Sequence, residues 1–271
     1  MTSEILSIGI IFLVATVAVM LSIEAGYRMG RLAHKRSEDE KESPVSAIAG
    51  SVLGLVAFML AFTFSIVAQR FDARKDLVRE EANTLRTAWM RSDFLPEADR
   101  AEARQLLREY VDGRIEGVSR IQSRKASIDH MEKVLADSDR IQRRLWEMAV
   151  VNARKDMNSD VAALYVDSLN QMTEIHASRV AIGLQQRIPP PIWIVLAGLT
   201  FCGMVLVGYQ TGIAGSKRSW ARPFLAISFS MVVALIAALD RPGGFLTVSQ
   251  RPLMDLRASM DGASAAAVPS N

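Results

Sequence analysis

Apolar and charged residues are segregated along this chain. Residues 5–23, 43–69, 188–216 and 223–239 carry no formal charge. A helix needs about 20 residues to cross a hydrocarbon core of about 30 Å, so each stretch reads as a membrane span. Between the second and third spans lies a sequence of the opposite kind, residues 69–187, with 21 Lys or Arg against 20 Asp or Glu. Apolar residues recur there at steps of three and four, the period of a helix. Phe71, Val78, Ala82, Leu85 and Trp89 form the first series, followed by Leu107, Tyr110, Val111, Ile115, Val118 and Ile121. Met131, Val134, Leu135, Ile141, Leu145 and Met148 form the third, and Val161, Tyr165, Leu169, Met172 and Ile175 the fourth. Strand-type alternation is absent. The expectation is an all-α membrane protein: four transmembrane helices with a soluble four-helix bundle between the second and third spans.

Proline, glycine and charge divide the chain further. The first transmembrane helix takes residues 1–27 and reads as an uncleaved anchor, because no Lys or Arg precedes it. A short basic loop follows at 28–44, and the second transmembrane helix at 45–68. Between Gly54 and Pro96, 41 consecutive residues contain neither Gly nor Pro. As one helix they would run about 60 Å at 1.5 Å per residue, so the second span would continue into water as a rod. The bundle occupies 69–188. Pro189, Pro190 and Pro191 interrupt it at the membrane boundary, with Trp193 where an interfacial aromatic belongs. The third transmembrane helix takes 189–210, a second short basic loop 211–222 and the fourth helix 223–240. The run Asp240-Arg241-Pro242-Gly243-Gly244 is a stop signal. In the C-terminal tail, 241–271, the small polar stretch from Ala258 is expected to be disordered.

Charge bears on orientation and partners. The short loops hold eight Lys or Arg, five in the first and three in the second. By the positive-inside rule they lie in the cytoplasm, which places the bundle on the extracytoplasmic side of the membrane. Arg70, Arg74, Lys75 and Arg79, directly after the second span, argue the other way. The net charge of +3 leaves no basic face on the soluble part, so nucleic acid is excluded as a partner. The partners expected are the lipid bilayer and further copies of the chain.

Catalytic chemistry has little foothold. The single cysteine, Cys202, lies inside the third span, so no intrachain disulfide or cysteine metal site can form. His34, His130 and His176 are scattered, and Glu174, two residues from His176, points another way on a helix. No metal site, cofactor site, phosphate loop or nucleophile elbow is expected, and the chain does not read as an enzyme. Glu24 lies one turn from Arg28, which suits an interfacial ion pair. On the second span Gly50, Gly54, Ala57, Ala61 and Ser65 form a stripe of small residues whose first expectation is packing within the subunit. The opposite side offers Phe58, Phe62 and Ile66, which in an oligomer could form a constriction that gates by dewetting. Contact with lipid accounts for them equally well.

The runs Leu60-Ala61-Phe62-Thr63-Phe64-Ser65, Gln69-Arg70-Phe71-Asp72-Ala73-Arg74-Lys75 and Glu80-Glu81-Ala82-Asn83 resemble the second-span signature of the bacterial bestrophin-like membrane family. Leu239-Asp240-Arg241-Pro242, followed by Val248-Ser249 and Pro252-Leu253, is similar to its C-terminal signature. The layout extends the resemblance over nearly the whole chain. A more distant resemblance to true bestrophins rests on Phe71 to Lys75 and on the order of the spans; the paired tryptophans and an acidic calcium clamp are missing. Because bestrophins are pentameric anion channels, the resemblance implies a homo-oligomer conducting small anions. Its second span would line the pore, with Phe58, Phe62 and Ile66 as constriction and Arg70, Arg74 and Lys75 as basic residues at the mouth. The alternative is a membrane-anchored sensor or scaffold whose extracytoplasmic bundle binds a ligand or protein partner.

Overall fold

The structure, a computed structural model, describes residues 2–36, 42–122, 128–182, 187–215, 220–240 and 247–266. Among the described residues there are helices and no strands: α1 (Thr2–Arg36), α2 (Glu42–Arg91), α3 (Glu97–Gln122), α4 (Ile128–Ala153), α5 (Asp160–Val180), α6 (Pro190–Ile213), α7 (Ala221–Asp240) and α8 (Arg251–Ala266). α1, α2, α6 and α7 are long and apolar enough to cross a membrane. The chain divides into two compact units, residues 1–70 with 187–246 and residues 71–186 with 247–271, and α2 contributes to both.

In the first unit the tightest association is between α1 and α6, and glycine makes it possible. A Cβ on Gly26 would fall on the Val205 carbonyl, one on Gly30 on the Tyr209 carbonyl, and one on Gly208 on the Ile23 carbonyl. On Gly212 it would lie 2.8 Å from the Arg31 nitrogen. Two glycine pairs four residues apart, Gly26 with Gly30 and Gly208 with Gly212, therefore bring two backbones together. In lipid, where packing rather than hydrophobic burial drives association, such contacts hold helices together. Val19, Ile23, Met204 and Ala226 are buried beside them. α2 joins through Leu53 and Val56, which lie 3.4 and 3.5 Å from the position of a Cβ on Gly203.

The second unit packs the end of α2 with α3, α4, α5 and α8. Leu85, Leu107, Leu145 and Tyr165 are sealed in its core, as are Leu253 and Met260 from α8. Ser92 to Phe94 form a 3-10 turn that ends α2 ahead of Pro96. Ser159 caps α5, its side chain accepting from the Ala162 N–H. The expectation of a disordered tail from Ala258 is corrected for residues 258–266, which belong to α8; the remainder lies outside the described residues. Leu253, Leu256 and Met260 recur at helix spacing and are buried, and Arg257 pairs with Asp112 of α3 at 2.7 Å. A fifth helix, rather than four alone, closes this core.

Gly26→Leu or Gly208→Leu is expected to destabilise the membrane unit by about 2 kcal/mol or more through overpacking. Gly198→Leu, whose added Cβ meets nothing within 4 Å, is expected to be tolerated. Thermal unfolding in detergent, monitored by Trp193 emission, checks both.

Candidate functional site

The membrane portion of α2 has one inward face and two outward ones. Ala49, Val56, Leu60, Thr63 and Val67 are buried, and the Thr63 hydroxyl donates to the Met59 carbonyl at 2.7 Å. Gly50, Gly54, Ala57, Ala61 and Ser65 are all exposed, and a Cβ on Gly50 or Gly54 would meet nothing within 4 Å. The expectation that this stripe packs within the subunit is therefore corrected: α1 and α6 supply the close helix approach instead. The spacing Gly26-x3-Gly30 and Gly208-x3-Gly212 was the sequence signal for it.

Phe58 and Phe62 are 64% and 52% exposed, with stacked rings whose centroids lie 6.4 Å apart. Ile66 is half-buried. At 100° per residue the aromatic face lies about 100° around the helix from the small stripe rather than opposite it. Both faces thus point away from the rest of the subunit.

At the proposed mouth Arg70 and Arg74 are half-buried, and the Arg70 Nη1 is enclosed without a hydrogen-bond acceptor. Lys75 lies 3.4 Å from Asp72 and 5.7 Å from the centre of the Phe71 ring. Ala73 is half-buried between them. Asp240, at the end of α7, accepts from the backbone N–H of Ile188 at 3.0 Å. That carboxylate satisfies a donor stranded where the proline run prevents α6 from extending. Arg241 and Pro242 lie outside the described residues. Glu24 pairs with Arg28 at 2.9 Å and with Arg222 of α7 at 3.7 Å, so it joins two spans. Among the described residues no group of three His, Cys, Asp or Glu could hold a metal ion.

Sequence reasoning missed a buried polar network in the second unit. Glu81 of α2, 2% exposed, accepts from the Arg114 Nε of α3 at 2.9 Å and from Arg179 of α5. The Tyr110 hydroxyl lies 3.0 Å from His176 Nδ1 and 3.5 Å from Glu81 Oε1. His176 Nε2 faces Asp139 of α4 at 3.7 Å; the carboxylate that matters to this histidine comes from another helix, not from Glu174. The Arg179 Nη2 reaches Gln250, just ahead of α8, at 3.4 Å. Burial is the main influence on Tyr110, Arg114, His176 and Arg179. It pushes Tyr110 up and Arg114 down, lowers Arg179 to about 10, and with Arg114 holds His176 below its ordinary value. Glu81 at an apolar-series position was the available signal: it immediately precedes Ala82 on the buried side of α2.

Comparison with known proteins then places the chain. Residues 11–253 match the family model described as the Bestrophin-like domain. The chain belongs to the bestrophin-like family. Its fold is that of a crystallised bestrophin homologue from Klebsiella pneumoniae. One single-site variant of that protein superposes with a TM-score of 0.65 at 13% identity, covering 96% of this chain and 99% of the other. A second variant gives 0.61 at 13% identity, covering 93% and 97%. A structure phased with zinc gives 0.55 at 16% identity, covering 89% and 98%. No curated protein matches the chain.

Glu81→Ala would leave Arg114 and Arg179 buried without their shared counter-charge and is expected to cost about 3–5 kcal/mol. Asp240→Ala, which strands one backbone donor, should cost about 1–3 kcal/mol. Denaturant unfolding read at Trp89 and at Trp193, respectively, measures the two effects.

Proposed function

We propose that this bestrophin-like protein assembles from several copies into an anion channel of a bacterial inner membrane. In this reading α2 lines the axis, Phe58, Phe62 and Ile66 form the constriction, and Arg70, Arg74 and Lys75 raise the local anion concentration at its mouth. One observation carries it: both outward faces of the α2 membrane portion, the stacked phenylalanines and the stripe of small residues, are free of partners from their own subunit's spans. Lipid suits exposed phenylalanine, but a bare stripe of Gly and Ala is suited to a neighbouring helix. An apolar ring set by three side chains one turn apart can close a pore by excluding water. No group in this arrangement acts as a chemical catalyst, and no cofactor takes part.

Charge at the mouth is mixed, and this bears on the permeating ion. Asp72, Asp76 and Glu80 recur every four residues on α2 and are exposed, which favours cations where Arg70, Arg74 and Lys75 favour anions. Native mass spectrometry of the solubilised particle is expected to give a ring of about five subunits, as the family resemblance implies. In reconstituted bilayers, reversal potentials under a chloride gradient should follow chloride; potentials that follow the cation would overturn the anion assignment and keep the pore. Phe62→Ala is expected to raise conductance, and unchanged currents would remove Phe62 from the constriction. A monomer would overturn the pore and favour the sensor reading, for which the cavity of about 800 Å³ between α4 and α5 is the candidate ligand site.

The basic short loops support a bundle outside the cytoplasm. A cysteine at Ala136, an exposed position on α4, in a Cys202→Ser background should then react with impermeant reagents in intact cells. Ser138 would report poorly, being only 6% exposed.

A further inference from the structure

Charged and titratable groups from three other helices cluster around His176; Tyr110 and Asp139 touch it, and Glu81 is reached through Tyr110. α2 brings Glu81, α3 brings Tyr110 and Arg114, and α4 brings Asp139. On α5 itself Arg179 follows one turn later, bound to Glu81 and to Gln250, and Glu174 lies on the cavity side. The charged residues that line the cavity between α4 and α5 are Asp139, Arg143, Glu147 and Glu174, with Gln142 and Thr173 beside them. The cavity brings solvent to the Asp139 carboxylate and so to the Nε2 edge of an otherwise buried ring.

With His176 neutral the buried charges are Glu81 against Arg114 and Arg179, with the exposed Asp139 and Glu174 at the cavity edge. Neutral His176 satisfies its neighbours. The Tyr110 O–H has two acceptors in reach, Nδ1 at 3.0 Å and Glu81 Oε1 at 3.5 Å, and the shorter contact assigns its proton to Nδ1, which leaves the ring proton on Nε2, facing Asp139 at 3.7 Å. A proton taken up from the cavity changes both the charges and the hydrogen bonds. The imidazolium donates from both nitrogens, so the Tyr110 oxygen must accept from Nδ1 and its O–H must turn toward Glu81 Oε1. That oxygen already receives the Arg114 Nε. The added charge also repels Arg114, whose guanidinium carbon lies 6.0 Å from the centre of the Tyr110 ring.

We propose that His176 is a proton-operated latch of the soluble bundle: a proton entering by the α4–α5 cavity turns the Tyr110 hydroxyl and loosens the hold of α3 and α5 on Glu81 of α2. Burial and Arg114 oppose protonation of His176 while Asp139 favours it. The latch is therefore closed at neutral pH, and its contribution to stability is lost as pH falls below about 6.5, the ordinary histidine value. The latch concerns the bundle alone and stands whether or not the chain conducts ions.

The test uses the full chain in lipid nanodiscs with 13C-labelled histidine, followed by NMR from pH 8 to pH 5. The signal missing from His176→Gln identifies His176 among the three histidines. Its midpoint is expected below pH 6.5, and Trp89 emission, isolated as the difference from Trp89→Phe, should change with the same midpoint and lose that change in His176→Gln. Titration of His176 without a response at Trp89, or an acid response that persists in His176→Gln, would overturn the latch. If His176→Gln does not fold, Asp139→Asn serves instead. Removing the carboxylate that faces Nε2 and favours the charged ring should make both transitions require a several-fold higher proton concentration, and midpoints that stay in place would overturn the proposal equally.

Discussion

Hydrocarbon offers the backbone no hydrogen-bond partner, and the membrane unit is arranged around that constraint. Among the described residues helices meet it, because an α-helix bonds its interior N–H and C=O groups within its own segment. The constraint acts hardest where a helix must stop. Three successive prolines rule out a helix leading into α6 through the boundary, and the Ile188 N–H left behind is bonded by Asp240 from the end of α7. One side chain thus terminates one span and completes the start of another. Since lipid supplies little net drive for apolar side chains to leave it, the association of α1 with α6 depends on closeness of approach, which Gly26, Gly30, Gly208 and Gly212 allow.

The soluble unit solves a different problem. Water drives its apolar faces together, yet the centre holds Glu81, Arg114 and Arg179. Desolvating such ions costs much of what their attraction returns, so the triad adds less stability than leucines of the same volume would. Its effect is geometric. Glu81 has two carboxylate oxygens and accepts one arginine on each, from α3 and from α5, so the rotation of α2 against both helices is fixed in a way that interchangeable apolar contacts would not fix it. Gln250 extends the same constraint to the segment that leads into α8.

The spans, the four-helix periodicity and the family were legible because each repeats a signal over many residues. Charge-free stretches report the membrane helices, and steps of three and four report the bundle. What escaped were pairings between distant segments. Asp139 with His176, and Glu81 with Arg114 and Arg179, bring together residues with no local relationship in sequence. α8 was misread for a related reason: Leu253, Leu256 and Met260 make a short apolar face amid small and polar residues, too brief to stand out until a core exists to receive it. The α2 stripe was visible, but its exposure was not, because a stripe of small residues does not say whether a helix of the same subunit covers it.

The position of that stripe bears on assembly. Exposed Phe58 and Phe62 by themselves distinguish nothing, as rings and acyl chains are equally apolar. Bare Gly50 and Gly54 are different, because flexible lipid tails fill a shallow groove less well than the fixed surface of another helix. In a ring of five copies the line from one helix to its equivalent in the next subunit makes an angle of about 54° with the line to the axis. The small stripe and the aromatic face of α2 are separated by about 100°, so with Phe58 and Phe62 toward the axis the stripe faces past the neighbouring α2 to a helix behind it. If the stripe seats that helix of the next copy, the phenylalanines keep the axis. The two outward faces of α2 are then complementary parts of one assembly, one face setting the contact and the other the bore.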